Sequence, residues 1–328
     1  MRNAKIVSTA FYAPEKVLPN QYFNDLLGED VDTWLSENLT IRERRWCADD
    51  ESTADLACRA GEQAISGAGL TAKDIDLIIL STDTPEYISP STSSVVQYRL
   101  GAVNAGTFDI NTACAGFVTG LDIGSKYIKA DEKYNNILVI GAYAMSKYLD
   151  MTDKKTVTLF ADGAGAVVLQ ATKEDRGFLQ SLLHTEGQYH DWMGIYAGGT
   201  FKPVNQDVLN SNDHLLKFVR KFPKEINPTT WSRMIREAVE NSGNSLTDIS
   251  MVFLTQININ SIRETLDLLG LNMNQTHTVM DRYAYTGSAC IPMALAEANK
   301  LGKLKENDLI VFMGSGGGLS FATAVFRW

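Results

Sequence analysis

The chain has 328 residues, of which 45% are hydrophobic, and a formal net charge of −9. That length accommodates two packed units of about 150 residues each, and the composition supplies a large core, which excludes a disordered chain. The acidic balance argues against a general nucleic-acid binder, because no excess of Lys and Arg is present to neutralise phosphates.

No run of eighteen apolar residues occurs, so we expect no membrane span and no membrane partner. The first twenty residues lack the apolar stretch of a signal peptide, and we therefore expect a cytoplasmic protein. The four cysteines show no CxxC spacing and are expected to be free thiols rather than metal ligands.

Short apolar runs predict strands that are covered on both faces. They are LIIL (77–80), ILVIGA (137–142), AGAVVLQA (164–171), MVFL (251–254), LIVFMG (309–314) and FATAVFRW (321–328). Helical patterns lie between them, among them the helix that Ser52 caps and another over 228–244. The glycine-rich start of FADGAGAVVL (160–169) lacks dinucleotide-binding spacing and reads as a turn between strands.

Two parts of the chain repeat the same order of elements. A helix, a Gly/Ser break and LTAKDIDLIILST occur up to residue 82, and a helix, a break and SLTDISMVFLTQ occur up to residue 256. The later strands repeat as well, which indicates an internal duplication with an offset of roughly 170 residues. We expect two similar α/β halves, residues 1–172 and 173–328. Residues 186–225 are polar and read as an insertion.

Cys114 precedes an apolar helical face formed by Phe117, Leu121, Gly124 and Ile128. The pattern therefore places its thiol at a helix N-terminus, where the helix dipole would lower the thiol pKa. A thiolate there can accept an acyl group and pass it on. A packing cysteine between two alanines explains the local sequence equally simply.

The stretch MGSGGGLSF (313–321) places three glycines directly after a buried strand. Glycines let the backbone approach a ligand and expose N–H donors of the kind that an oxyanion hole needs. Gly317 is the candidate donor, and Ser315 is a candidate substrate-binding residue. A tight connection between strands would also explain this stretch.

Taken together, DINTACAGF, LFADGAGAVVL, GSGGGLSFATAVFRW and DTWLSENLTIRERRW resemble the β-ketoacyl-acyl-carrier-protein synthase III family over the whole chain. The resemblance implies an α/β, thiolase-like, duplicated αβαβα five-layered fold. It implies that Cys114 is the acyl-accepting nucleophile and that the N–H groups of Cys114 and Gly317 form the oxyanion hole. It also implies a homodimer with no permanently bound cofactor and no metal, acting on acyl-coenzyme A or acyl-carrier-protein thioesters.

The sequence departs from the family where the chemistry after acylation is usually performed. The family's H-Q-A-N motif reads TQIN here, so that Thr255 replaces a histidine while Gln256 and Asn258 keep their places. The asparagine of the family's G-N-T-S motif is replaced by Tyr285. Neither replacement supplies a ring nitrogen that titrates near neutral pH. His190, in a loop near the family's tunnel, could be a displaced base, although a surface or packing role is favoured.

The mouth for the coenzyme is altered as well. Trp34 matches a tryptophan that stacks on adenine in the family, but the usual arginines are replaced by Asn38, Asn260 and Lys154. Losing guanidinium groups weakens phosphate recognition, which favours a carrier protein as the donor. The candidate docking residues are Arg42, Arg44, Arg45, Lys217, Arg220, Lys221 and Lys224. For each of them, a solvated surface charge is the alternative.

Three functions remain open on these grounds. The first is acyl transfer from a thioester through Cys114 to an acceptor, in fatty-acid-like or polyketide-type metabolism. The second is decarboxylative Claisen condensation in a rearranged site, where Thr255, Gln256 or Tyr285 polarises the carbonyl. The third is a catalytically degenerate subunit that forms a heteromer with an active homologue.

Overall fold

The computed structural model describes residues 2–328, in which two mixed sheets enclose a central layer of two helices. Strands are numbered in chain order. The first sheet contains β1 (Asn3–Tyr12), β4 (Leu77–Ser81), β5 (Gly106–Ile110), β6 (Asn136–Ala144) and β7 (Asp162–Thr172). The second contains β8 (Gly177–Thr185), β11 (Ile249–Leu254), β12 (Leu309–Gly316) and β13 (Ser320–Arg327). Two short pairs complete the set, β2 (Lys16–Pro19) with β3 (Glu43–Trp46) and β9 (Met193–Gly194) with β10 (Lys217–Phe218).

The helices are numbered in the same way. They are α1 (Asn20–Leu27), α2 (Asp32–Leu39), α3 (Thr53–Gly67), α4 (Thr92–Leu100), α5 (Gly116–Ala130), α6 (Lys154–Val157), α7 (Gln206–Asn210), α8 (Ile226–Asn241), α9 (Ile259–Leu269), α10 (Met280–Tyr283) and α11 (Cys290–Lys300). Among residues 2–328, no helix combines the length and the apolar character that a membrane crossing requires.

The duplication is confirmed by the two sheets. The first has the order β1-β7-β6-β4-β5 and the second the order β8-β13-β12-β11. In each order the first two pairs are antiparallel and the third pair is parallel. In the second sheet, a single parallel bridge from Val252 to Thr276 stands where the first sheet has β5. The predicted strands therefore all form. The sheets fall on either side of residue 172, and the division into units 1–172 and 173–328 stays a prediction consistent with this arrangement.

Five layers result from this arrangement, in the thiolase-like αβαβα order. Helices α3 and α4 cover the outer face of the first sheet, and α8 packs with α9 on the outer face of the second. Helices α5 and α11 lie between the sheets, where α5 contacts both. The predicted apolar face of α5 is fully buried, since Phe117, Leu121 and Ile128 have no exposed surface. Burial of this kind is the main stabilising contribution to such a core.

The predicted boundaries hold with two corrections. Ser52 and Asp55 form a capping box at the start of α3, as its sequence indicates, whereas α8 begins at Ile226, two positions before the predicted 228. The glycine-rich stretch at 160–165 is not a turn, because β7 already begins at Asp162. Its glycines, Gly163 and Gly165, lie under α11 instead.

Glycines set the distance between the central helices and the first sheet. A methyl group added to Gly165 would come within 2.8 Å of the Pro292 backbone carbonyl carbon, and one added to Gly163 within 2.8 Å of Met293 Sδ. On α5 the arrangement is reversed, since a methyl group on Gly120 would lie 2.8 Å from Val139 Cγ1. The strands therefore carry glycine where α11 approaches them. Helix α5 carries glycine where the strands have branched side chains.

We expect Gly165→Ala to lower the free energy of unfolding by about 1–3 kcal/mol, because the new methyl group meets backbone that cannot rotate away. Gly199→Ala is the matched control, since an added methyl group there meets no atom within 4 Å. That change is expected to stay within about 0.5 kcal/mol of the parent. Urea denaturation followed by circular dichroism measures both, and equal stability of the two variants would contradict the packing argument.

Candidate active site

Three parallel strands of the first sheet end at the same edge. β4 pairs in parallel with both β5 and β6, and the Thr82 N–H donates to the Ile110 carbonyl at 3.2 Å just beyond the strand ends. Ligands of open α/β sheets bind at such carboxyl ends. Asp83 and Cys114 lie in the segments that follow β4 and β5, and Tyr143 lies at the end of β6, so the three residues are brought to the same edge.

Cys114 lies two residues before α5, in a constrained turn. Ala113 adopts a φ of +46°, in the left-handed region that non-glycine residues seldom occupy, and α5 begins at Gly116. The second half repeats this geometry, since Gly287 has a φ of +50° ahead of α11. Cys114 itself is 3% exposed. Strained backbone of this kind is typical of functional turns.

The environment of the thiol differs from the expectation. Burial raises the pKa of Cys114 well above its ordinary value, and the negative charge of Asp83 raises it further. The lowering predicted from the helix N-terminus is therefore wrong in its net sign, because desolvation of the charged form dominates in this position. A hydrogen bond from the Tyr285 hydroxyl acts in the opposite direction and lowers the thiol pKa.

Tyr285 is held rigidly beside the thiol. Its N–H donates to the Leu159 carbonyl at 3.0 Å, and its carbonyl accepts from the Ala161 N–H at 2.9 Å. The ring centroids of Tyr285 and Phe160 are 5.5 Å apart. Burial raises the pKa of Tyr285 well above its ordinary value, so its hydroxyl stays protonated and donates to the sulfur of Cys114.

Thr255 and Gln256 perform structural tasks that the sequence does not reveal. The Thr255 hydroxyl donates to the Ser315 carbonyl at 3.3 Å and accepts from the Ser315 N–H at 2.8 Å, so its only proton is already used. Gln256 donates to the His277 carbonyl and accepts from the Val279 N–H, each at 2.9 Å. Both side chains are 1% exposed. Neither side chain lines the cavity that holds Cys114, and the predicted role of the two as carbonyl-polarising groups stays a prediction.

The triple-glycine segment packs directly over the nucleophile. A methyl group added to Gly316 would overlap the Cys114 nitrogen and come within 2.8 Å of Ala113 Cβ. The neighbouring Gly317 is less constrained, with the Met193 carbonyl oxygen 3.4 Å from an added methyl group. Gly316 therefore owes its identity to the close approach, whereas the oxyanion-hole role of the Gly317 N–H stays a prediction.

A cavity of about 570 Å³ leads from the surface to Cys114. Its walls include Trp34, Asn38, Cys114, Met193, Phe218, Lys221, Lys224, Asn258, Asn260, Glu264, Tyr285, Ser315 and Gly317. Trp34 stands at the mouth with 54% of its surface exposed, which leaves its ring face free to stack on a ligand. Eight of the eleven predicted site residues line this cavity.

The three remaining predicted residues lie elsewhere. Thr255 and Gln256 are buried behind the cavity, and Lys154 lines an adjoining cavity of about 600 Å³ with Trp34, Arg220 and Lys221. The Lys154 ammonium is 3.0 Å from a carboxylate oxygen of Glu29. Its charge is therefore already partly matched.

Hydrogen bonds within the protein also occupy the mouth asparagines. Asn260 Nδ2 donates to the Asn38 carbonyl at 3.1 Å, while Asn38 Nδ2 donates to the Trp34 carbonyl at 3.0 Å. The Asn258 side chain caps α9 by accepting from the Asn260 N–H at 2.9 Å. These contacts join α2 to α9 and fix the shape of the mouth.

The docking candidates divide by position. Lys221 and Lys224 are exposed at the mouth, and Arg220 lies beside them. Arg44 is wrongly predicted as a docking residue, because it is fully buried and donates to the Asn20 side chain and the Thr158 carbonyl at 2.7 and 2.6 Å. Lys217 forms an ion pair with Asp213, Arg45 is half-buried, and Arg42 is exposed.

Two residues of the site escaped the sequence analysis. Asp83 follows a buried strand whose end meets those of β5 and β6, and a carboxylate at such a position is a usable signal. The sequence alone does not distinguish Gly316 from the two glycines that follow it. His190 is exposed, with its Nδ1 facing the Gly187 carbonyl at 3.2 Å, and no histidine of residues 2–328 lines the cavity that holds Cys114.

Comparison with protein families gives two matches. Residues 108–187 match the family model described as 3-oxoacyl-(acyl-carrier-protein) synthase III. Residues 239–328 match the model described as the C-terminal part of 3-oxoacyl-(acyl-carrier-protein) synthase III. The two matches include Cys114 in the first half and Thr255, Tyr285 and Gly317 in the second.

Full-length relatives give the same result. The chain is 36% identical to the β-ketoacyl-(acyl-carrier-protein) synthase III of Clostridioides difficile, with 99% of this chain and 98% of the relative covered. It is 37% identical to the enzyme of that name from Clostridium perfringens, with 100% of each chain covered. The solved 3-oxoacyl-(acyl-carrier-protein) synthase III of Aquifex aeolicus superposes with a TM-score of 0.89 at 32% identity, covering 99% of this chain and 100% of the other.

We expect Gly316→Ala to abolish most modification of Cys114, because the methyl group displaces the backbone that carries the nucleophile. Gly317→Ala keeps its N–H, meets only an ordinary contact at 3.4 Å, and is the matched control with near-parental reactivity. Alkylation of Cys114 by iodoacetamide, followed by intact mass, compares the two. Similar rates in both variants would contradict the distinction between these glycines.

We expect Tyr285→Phe to raise the pKa of Cys114 further, because the hydrogen bond that lowers it is lost. A hydrogen bond to a charged group is worth about 1.5–3 kcal/mol, which corresponds to a decrease of at least about tenfold in alkylation rate at a fixed pH below the thiol pKa. The alkylation profile should move to higher pH. Tyr283→Phe is the control, since that ring packs against Phe11 and lies outside the lining of the cavity; an unmoved profile in Tyr285→Phe would refute the assignment.

Proposed function

The chain belongs to the 3-oxoacyl-(acyl-carrier-protein) synthase III family of acyl-transferring enzymes, and we propose that it moves an acyl group from a carrier-protein or coenzyme A thioester to an acceptor through a thioester on Cys114. The choice of acyl transfer over decarboxylative condensation rests on one observation. The only hydroxyl proton of Thr255, at the position of the family's histidine, is committed to the Ser315 carbonyl. The side chain that usually helps to activate a malonyl thioester is thus replaced by one that holds the glycine segment.

The proposed reaction has two halves. In the first, the sulfur of Cys114 attacks the thioester carbonyl, and the N–H groups of Cys114 and Gly317 would stabilise the oxyanion that forms. The Tyr285 hydroxyl would stabilise negative charge on the sulfur as the donor approaches and again when the acyl group leaves. In the second half, an acceptor enters the vacated cavity and attacks the acyl-Cys114 carbonyl in the same oxyanion hole.

Decarboxylative condensation is the second candidate, and membership of the family favours it. It requires donors that polarise the malonyl thioester carbonyl and stabilise the enolate left by carbon dioxide. Of the two replaced residues, Thr255 and Tyr285, only Tyr285 has a hydroxyl proton available. That proton is directed at the sulfur of Cys114. Acyl transfer does not require a group that polarises a malonyl carbonyl or stabilises an enolate, which supports it as the first candidate.

We propose the carrier protein as the preferred donor. The mouth asparagines and Lys154 already have partners within the protein, whereas Lys221 and Lys224 remain exposed beside the opening and suit an acidic protein surface. We also propose a homodimer. The family resemblance places the segment TPEYISPSTSS (84–94) near the partner subunit, and its side chains Tyr87 and Ile88 are exposed here.

Incubation with a panel of acyl thioesters, as coenzyme A and as carrier-protein conjugates, tests this proposal. Intact mass should show one acyl adduct on the parent protein and none on Cys114→Ala, with faster acylation from the carrier-protein conjugates. A labelled malonyl thioester should release carbon dioxide far more slowly than Cys114 is acylated.

The outcomes separate the candidates. Carbon dioxide release at a rate comparable to acylation would replace transfer by condensation. The absence of an adduct with every donor, while iodoacetamide still alkylates Cys114, would refute both and indicate a subunit without acyl-transfer activity.

A further inference from the structure

A carboxylate that the proposed reaction does not yet use lies beside the nucleophile. Asp83 follows β4 at the sheet edge where the segment after β5 carries Cys114 and the end of β6 carries Tyr143. The Asp83 side chain as a whole is half-buried, but its Oδ1 is closed off from solvent and accepts no hydrogen bond from another residue within 2–328. A buried, unpartnered carboxylate oxygen is costly in a folded protein, so its presence requires an explanation.

No Lys, Arg or His side chain among residues 2–328 forms an ion pair with Asp83 or is among the causes that shift its pKa. The groups on which its charge acts are the thiol of Cys114, the phenol of Tyr143 at the end of β6 and the phenol of Tyr148 just beyond. Burial raises the pKa of each of these groups, so all three are neutral near neutral pH. Burial also raises the pKa of Asp83 itself, to about 6. A carboxylate is therefore present at neutral pH, and it is more basic than an exposed aspartate.

The site lacks any other acceptor for the thiol proton. Thr255 replaces the family's histidine and has no basic group, while the Tyr285 phenol stays protonated and cannot take up a second proton. His277, the most buried histidine, is engaged with Glu297 at 2.8 Å and Lys303 at 3.0 Å and does not line the cavity. The thiol proton must nevertheless leave, because the thiolate is the reactive form of cysteine.

We propose that Asp83 is the general base of this site, accepting the Cys114 proton directly or through one water as the sulfur attacks. The inference rests on the proposed acyl transfer. It assigns to the first half of the duplicated fold a proton acceptor that the second half no longer supplies.

The proton and the electron pairs balance over one cycle. As the bond between Cys114 Sγ and the acyl carbon forms, the thiol proton passes to the Asp83 carboxylate. The bond between the acyl carbon and the donor sulfur then breaks, and the Asp83 proton passes to the leaving thiolate. When the acceptor attacks, Asp83 takes the acceptor's proton and returns it to Cys114 as the thioester bond breaks.

The alternative, that Asp83 acts only as a neighbouring charge, predicts the opposite sign. Its charge raises the pKa of Cys114, so Asp83→Asn would lower that pKa and make the thiol more reactive. Loss of a general base would instead slow acylation, by about 100-fold at neutral pH. The direction of the change in acylation rate therefore distinguishes a general base from a carboxylate that acts only through its charge.

The test measures acylation of Cys114 by p-nitrophenyl acetate from about pH 5 to pH 9, with intact mass as the readout. The parent rate should rise with pH through a limb near pH 6, the pKa of Asp83. Asp83→Asn should lose that limb and fall about 100-fold at neutral pH. Glu86→Gln is the matched control on the same loop, since that carboxylate contacts Arg99 and the Ala54 N–H.

Equal or faster acylation of Asp83→Asn overturns the proposal, as does a uniform fall that keeps the limb or an equal fall in Glu86→Gln. If Asp83→Asn does not fold, Asp83→Glu is measured in its place. A shift of the limb of its pH–rate profile to a different pH supports the general base, and an unchanged limb overturns the proposal. The activated ester needs no physiological donor. A protein that reacts with the ester through Asp83 but with no thioester would refute the proposed function and leave this inference standing.

Discussion

The active site depends on how closely the two central helices approach the first sheet. On α5, Gly120 and Gly124 make room for Val139 and Leu169, whereas under α11 it is the strands that carry glycine. Each contact leaves no space for one more carbon atom. Because both helices are fixed against the same sheet, the turns that precede them meet at one edge, and Cys114 and Tyr285 come together from opposite halves of the chain.

The same close packing determines the electrostatics of the site. A cavity reaches Cys114 from the surface, but the side chains of Cys114, Tyr143 and Tyr285 are almost wholly buried, so burial favours the neutral form of all three. A preformed thiolate is disfavoured in such a place. In the proposed reaction, the negative charge on sulfur develops during the attack, next to the Tyr285 hydroxyl. A site of this kind needs a nearby acceptor for the thiol proton, and the dipole of α5 alone does not provide one.

Local patterns in the sequence were sufficient for most of the fold. Apolar runs gave the strands, the Ser52 cap gave the start of α3, and the repeated order of elements gave the duplication, because each of these depends on neighbouring residues. The failures came from contacts between distant residues. Thr255 is bonded to Ser315, sixty positions away, and Arg44 is buried by a contact with Thr158, 114 positions away. The sign of the Cys114 pKa shift likewise depends on burial by both halves.

The replacement at Thr255 explains how the site can lose its usual histidine and keep its shape. The threonine hydroxyl closes two hydrogen bonds with the Ser315 backbone and so holds the end of β12, from which the glycine segment continues over Cys114. Thr255 thus holds the backbone that packs against Cys114. If proton transfer is retained, it has to come from another element. β4 ends beside Cys114 without depending on β11 or β12, so a carboxylate at Asp83 can be gained without disturbing the backbone that the nucleophile requires.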